Sequence, residues 1–122
     1  MQMNTEFTVY RIQDAQGRGP WRPGFSQLWV RDRKDHENLV PWFVEFGPVH
    51  ENATDGEFIG CGCRTIKELK RWFTKKEYKT LLAFGYRAVE MKAKRALGAS
   101  DIQCLFVRDV PLRINIEMVE LY

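Results

Sequence analysis

The segment Gln16–Ser26, QGRGPWRPGFS, concentrates the groups best suited to holding a ligand. Glycines let backbone come close to a bound molecule. Arg18 and Arg22 can grip a phosphate with paired N–H groups, and the Trp21 face can stack on a base. Phe25 and Ser26 close the segment. Arg11, in an otherwise apolar stretch, demands an anionic partner if it is buried. The bland alternative is a rigid surface loop whose Trp folds back on the core, with Arg11 in an ordinary ion pair. Cys61, Cys63, Cys104 and His50 could in principle surround zinc, but the C-x-C spacing is atypical of structural sites. Buried, reduced thiols and no metal are therefore expected. His36 and His50 read as exposed loop histidines, and no nucleophile elbow accompanies them. Neither a phosphate loop nor a dinucleotide fingerprint is present.

These residues need elements to hold them. Phe7–Gln13 alternates and is rich in β-branched and aromatic residues, so it reads as a strand. The Gly- and Pro-rich stretch 14–24 forbids regular structure. Phe25–Val30 is a strand or a helical turn, and Arg31–Leu39 a charged loop. Pro41 makes Val40–Phe46 an edge strand or an irregular packed segment. Val49–Glu57 reads as a polar loop. Two T-x-x-E boxes, Thr65–Glu68 and Thr74–Glu77, each precede a helical apolar stripe, so two short helices meet at Thr74. Gly85 suits the residue after the second. Tyr86–Ala93 and the wholly apolar Ile102–Val107 read as strands, the latter central. Leu112–Met118 alternates as a half-exposed last strand. The sum is an α+β fold, with a mixed or antiparallel sheet of about five or six strands and a central pair of short helices.

The 122 residues, 44% hydrophobic and 29% charged, fit one domain spanning 1–122, with 1–6 expected to be flexible. No apolar stretch reaches membrane-spanning length, and no secretory signal opens the chain. A cytoplasmic location and no membrane partner are expected. The net charge of +3 conceals an asymmetry. Residues 65–98 hold ten Lys or Arg against three Glu, whereas 31–57 hold three basic against seven acidic residues. A basic face built on Lys67, Lys70, Arg71, Lys75, Lys76 and Lys79 suits an acidic protein partner or a nucleic acid. Nucleic acid is the weaker expectation. The helices meet without the usual glycine turn, and the second has no Arg, Asn or Gln in its first turn to read bases. Solvated lysines on helix exteriors are the bland alternative.

Two resemblances add to this. Val9-Tyr10-Arg11-Ile12-Gln13-Asp14 followed by GRGPWRPGFS, the later Cys-Gly-Cys-Arg-Thr, the Trp-Phe-Thr junction and Gln103 together resemble a family of short bacterial and prophage proteins. More distantly, the order of parts is similar to small ADP-ribosyltransferase-like domains. That resemblance implies Arg11 on the first strand, Cys63-Arg64-Thr65 leading into a helix, and Gln103, with Asp101 before it, opening a late strand. It implies a nucleotide or nicotinamide adenine dinucleotide (NAD) as ligand, with Arg11, Asp101 and Gln103 in the catalytic positions. The departures are Cys61 and Cys63 where the family carries Ser, Thr or Tyr, and Gln103 where it carries Glu. A glutamine cannot supply the negative charge that steadies an oxocarbenium ion. A prophage-type interaction module or inhibitor, using the basic helical face, is the competing expectation.

Overall fold

The computed structural model describes residues 6–22, 24–54, 56–108 and 116–122. Its strands are β1 (Phe7–Gln13), β2 (Phe58–Gly62), β3 (Arg87–Ala93), β4 (Arg95–Ala99), β5 (Cys104–Arg108) and β6 (Ile116–Met118). Its helices are α1 (Trp42–Glu45), α2 (Ile66–Trp72) and α3 (Lys75–Ala83). Short 3-10 turns occupy Ser26–Leu28, Arg33–His36 and Gly47–Asn52. The fold is α+β, and among the described residues all strand pairing is antiparallel. The strands form two sheets of three, ordered β1-β3-β6 and β2-β5-β4, rather than one.

Two features join the sheets. β3 runs almost directly into β4, and the intervening Lys94 N–H donates to Val107 O at 2.8 Å. On the other side, Tyr10 N–H donates to Cys63 O at 2.7 Å and Cys63 N–H returns to Tyr10 O at 2.8 Å. β1 therefore meets the end of β2 along a seam between the sheets. Successive strand side chains face opposite ways, so β1 serves two cores. Ile12 joins Leu69, Trp72, Tyr78 and Leu81 under the helices, whereas Val9 packs with Met91, Ala93, Cys104 and Phe106. β5 is buried along its whole length and lies between β2 and β4, as its unbroken apolar run implies.

The helical pair follows its caps. Thr65 Oγ1 accepts from Glu68 N–H at 3.1 Å, and Thr74 Oγ1 from Glu77 N–H at 3.2 Å. At Thr74 the box is complete, since Glu77 Oε1 accepts Thr74 N–H at 2.9 Å. At Thr65 the carboxylate reaches one residue further, to Arg64 N–H at 3.1 Å. Between the helices Phe73 is extended (φ −143°, ψ 114°), so α2 and α3 are distinct.

Elsewhere the structure departs from the sequence reading. Val40–Phe46 is neither an edge strand nor irregular: Pro41 stands at the N-cap of α1, where its missing N–H costs nothing. Phe25–Val30 takes the helical alternative, as a 3-10 turn. The loops 31–39 and 49–57 also contain 3-10 turns. β2 and β4 went unanticipated. Gly60 and Gly62 interrupt the pattern of β2, and a register shift between Ala96 and Gly98 breaks that of β4. Of the expected last strand, Ile116–Met118 forms β6, and 112–115 lie outside the described residues, as do 1–5 of the terminal segment.

Candidate functional site

Arg11 lies at the seam, on the Val9 face of β1, and is 7% exposed. Its Nη1 donates to Cys61 O at 3.2 Å and its Nη2 to Gly17 O at 3.4 Å, while Nε has no partner. Both acceptors are neutral. Burial pushes its pKa below the ordinary arginine value, against the pull of Cys61 and Asp14. Arg108, on the same side, donates from Nη2 to Gln13 Oε1 at 3.1 Å. Burial, then the charge of Arg11, lowers Arg108 to about 10. The polar end of the Val9 core is thus two guanidinium groups and an amide.

Glycines make this arrangement possible. A Cβ on Gly60 would stand 2.9 Å from Arg11 Nη1 and 3.1 Å from a Phe106 ring carbon. One on Gly62 would stand 2.7 Å from Tyr10 O. Both β2 glycines are therefore required by what crosses them, and that is why the C-G-C segment reads poorly as a strand.

Cys63 is the meeting point of the seam. Besides its bridge to Tyr10, its Sγ lies 3.6 Å from Ile102 O, which also accepts Trp72 Nε1 at 2.8 Å. Arg64 Nη2 reaches Ser100 O at 3.4 Å. The structure thus brings the backbone at Tyr10, Cys63-Arg64 and Ser100–Ile102 together, but not the Arg11 and Gln103 side chains. Gln103 is buried, and its Nε2 donates to Val40 O at 2.7 Å and to Glu45 Oε1 at 2.9 Å. Asp101 is exposed, and its backbone O accepts Arg71 Nη1 at 3.5 Å. All three thiols are free. Burial pushes each upward, Cys104 to about 12, which makes them poor nucleophiles at neutral pH.

The side chains of the Gly-Pro loop are occupied within the chain. Arg18 Nε pairs with Asp14 Oδ2 at 3.0 Å. Arg22 Nη2 donates to Tyr86 OH at 2.7 Å, and its guanidinium lies 4.8 Å from the Phe25 ring centre. Phe25 stacks on Tyr86 at 5.3 Å. Trp21 packs edgewise on Trp29 at 4.5 Å and on His36 at 5.1 Å, with 42% of its surface still exposed. Ser26 begins the 3-10 turn, donating its N–H to Arg22 O at 3.0 Å. Of this loop, the backbone at Gly17 and Gly19 is what meets Arg11.

Sequence reasoning missed four residues here. His36 is not an exposed loop histidine: its side chain is 10% exposed and its Nε2 lies 2.9 Å from Glu77 Oε2. Glu77 is wholly buried and also accepts Arg31 N–H at 3.2 Å. The sequence marks it only as the last residue of a capping box. Arg108 falls just past the apolar run 102–107, and Glu45 lies in the segment misread around Pro41. The apolar run beside Arg108 was the available signal, since a charge ending a central strand is a candidate for burial.

Residues 1–119 match the family model described as bacteriophage T4 Y00F protein. The chain belongs to that family. No curated protein and no solved structure matches. Membership in a phage family agrees with the prophage resemblance of the Tyr10-to-Ser26 opening. Among the described residues no helix is long and apolar enough to cross a membrane.

Proposed function

We propose that this family member is a small nucleotide-binding domain of ADP-ribosyltransferase-like form, taking NAD or another ADP-ribose-bearing nucleotide at the seam. One observation carries the reading: the Arg11 guanidinium, buried at the seam, donates its hydrogen bonds to two neutral carbonyl oxygens, Cys61 O and Gly17 O. Desolvating a guanidinium costs several kcal/mol unless an anion compensates it. Arginine does not shed its proton to avoid that cost. A diphosphate entering under the Gly17–Gly19 backbone supplies the missing anion and replaces two long carbonyl contacts with charge-assisted ones.

The elements carrying these residues support the same reading. Arg11 is on the first strand, Cys63-Arg64-Thr65 leads from β2 into α2, and Gln103 immediately precedes β5. Gln103 carries no charge, and its amide is engaged by Val40 and Glu45. Binding, rather than group transfer, is therefore the activity proposed. Amide chemical-shift mapping with NAD, ADP-ribose and ATP tests it. The expected result is a contiguous set of shifts at Tyr10, Gly17, Gly19 and Cys63. Shifts confined to the lysine-rich helices, or none with any of the three, would remove the reading.

A further inference from the structure

We infer that the outer face of α2 and α3 binds the phosphate backbone of duplex nucleic acid without sequence preference, at a surface separate from the seam. Lys67, Lys70, Arg71, Lys75, Lys76 and Lys79 are all exposed. Lys67, Lys70 and Arg71 recur at helical spacing along α2, and Lys75 and Lys79 do so on α3. An ordinary surface helix would intersperse acids among them. Here the acids of the two helices are turned away: Glu68 accepts the Arg64 N–H, and Glu77 is buried against Thr74, Arg31 and His36. Among the described residues none of the six cations pairs with a carboxylate. Arg71 reaches a backbone oxygen, and Lys70 Nζ lies 5.0 Å from the Tyr122 ring centre, both neutral partners. The acids of the two helices are thus engaged elsewhere and six cations remain on the surface, with the exposed Asp35 and Glu37 bordering the face only beside Arg71.

The chemistry of the face selects the partner. Protein interfaces are built around aromatic and apolar anchors and are depleted in lysine. On these helices Leu69, Trp72, Tyr78 and Leu81 all point into the core, and the exposed positions are mainly lysine and arginine. Nucleic-acid interfaces are polar and strongly positive. The exposed aromatics bordering the face are engaged within the chain, Tyr122 under Lys70 and Phe84 against Phe25, which disfavours single strands, since these need stacking platforms. With no Arg, Asn or Gln opening α3, base reading is not expected, and phosphate contacts set the affinity.

Fluorescence anisotropy of a mixed-sequence DNA duplex, titrated with the full chain at several salt concentrations, tests this. Contact with four to six phosphates predicts a log–log salt slope of about −3.5 to −5.5. Over a fourfold rise in salt that is a loss of affinity of about 10²- to 10³-fold. Replacing Lys67, Lys70 and Arg71 by Glu should weaken binding at least about tenfold, with circular dichroism unchanged because none of the three lies in the core. Replacing Lys75, Lys76 and Lys79 by Gln gives the independent check if the first variant misfolds. A slope shallower than about −1, or duplex affinity untouched by both triple variants, would overturn the inference. So would a poly-glutamate peptide bound as tightly as the duplex, which would assign the face to an acidic protein.

Discussion

The seam and the helical pair treat buried charge in opposite ways. At α3 the buried charge is a carboxylate, and Glu77 is met by two backbone N–H groups and the His36 ring. At the seam it is a guanidinium, and Arg11 meets two carbonyl oxygens and a second guanidinium nearby. The first arrangement is complete within the chain and therefore structural. The second has no carboxylate in hydrogen-bond contact, and only the pull of Cys61 and Asp14 offsets the burial of Arg11. Exposure alone would have misled, since the exposed Arg18 of the Gly-Pro loop is paired with Asp14 and the buried Arg11 has no acid in hydrogen-bond contact.

The contrast can be broken most forcefully at Glu77. Replacing it by Ala removes the acceptor of two part-buried N–H groups and the partner of the His36 ring, and unfolding in denaturant should show a loss of about 3–5 kcal/mol. A cost below about 1 kcal/mol would mean that the carboxylate is not part of the helix anchor. Next in size is Gly60→Ala, expected to destabilise by about 1–3 kcal/mol through overlap with Arg11 and Phe106. Combining it with Arg11→Ala should recover part of that cost, because the nearest of the three close groups (Arg11, Phe106 and Arg108) is then gone. Strict additivity would show that Arg11 does not lie over Gly60.

Thr74→Ala should cost about 1 kcal/mol, by loss of the N-cap. The smallest effect concerns Asp14. Burial alone would raise its pKa, but the N–H groups of Arg18 and Gln16 and the Arg18 guanidinium outweigh that and hold it below the ordinary 3.8. A depressed folded pKa means that its stabilisation is complete above that value and fades as pH falls through the lower one. Asp14→Asn should therefore flatten the acid limb of the stability profile slightly, and an unchanged limb would remove Asp14 as a tie of the loop.

What the sequence disclosed follows the range of the forces involved. The helices, their Thr caps and β5 were legible because capping boxes and apolar runs are local. β2 was not, because its glycines answer to Arg11, a residue 50 positions away in the contact to Cys61. The partnership of His36 and Glu77 spans 41 positions and left no local trace. The strand that carries Arg11 was legible from its alternation, and Arg11 is buried on it. The occupied loop arginines, the proximity of Glu45 to Gln103 and the burial of Arg108 all depend on tertiary contacts.

Isothermal calorimetry of ADP-ribose against the native chain and an Arg11→Met variant addresses the central claim most directly. Methionine keeps the length and apolar stem of the side chain and removes the charge. The account predicts saturable binding to the native chain, and a folded Met variant, at least as stable in the absence of ligand, that no longer binds. Equal binding by both chains, or no binding by the native one together with an Arg11→Met variant that loses several kcal/mol of stability, would contradict it and make the buried guanidinium a structural strut.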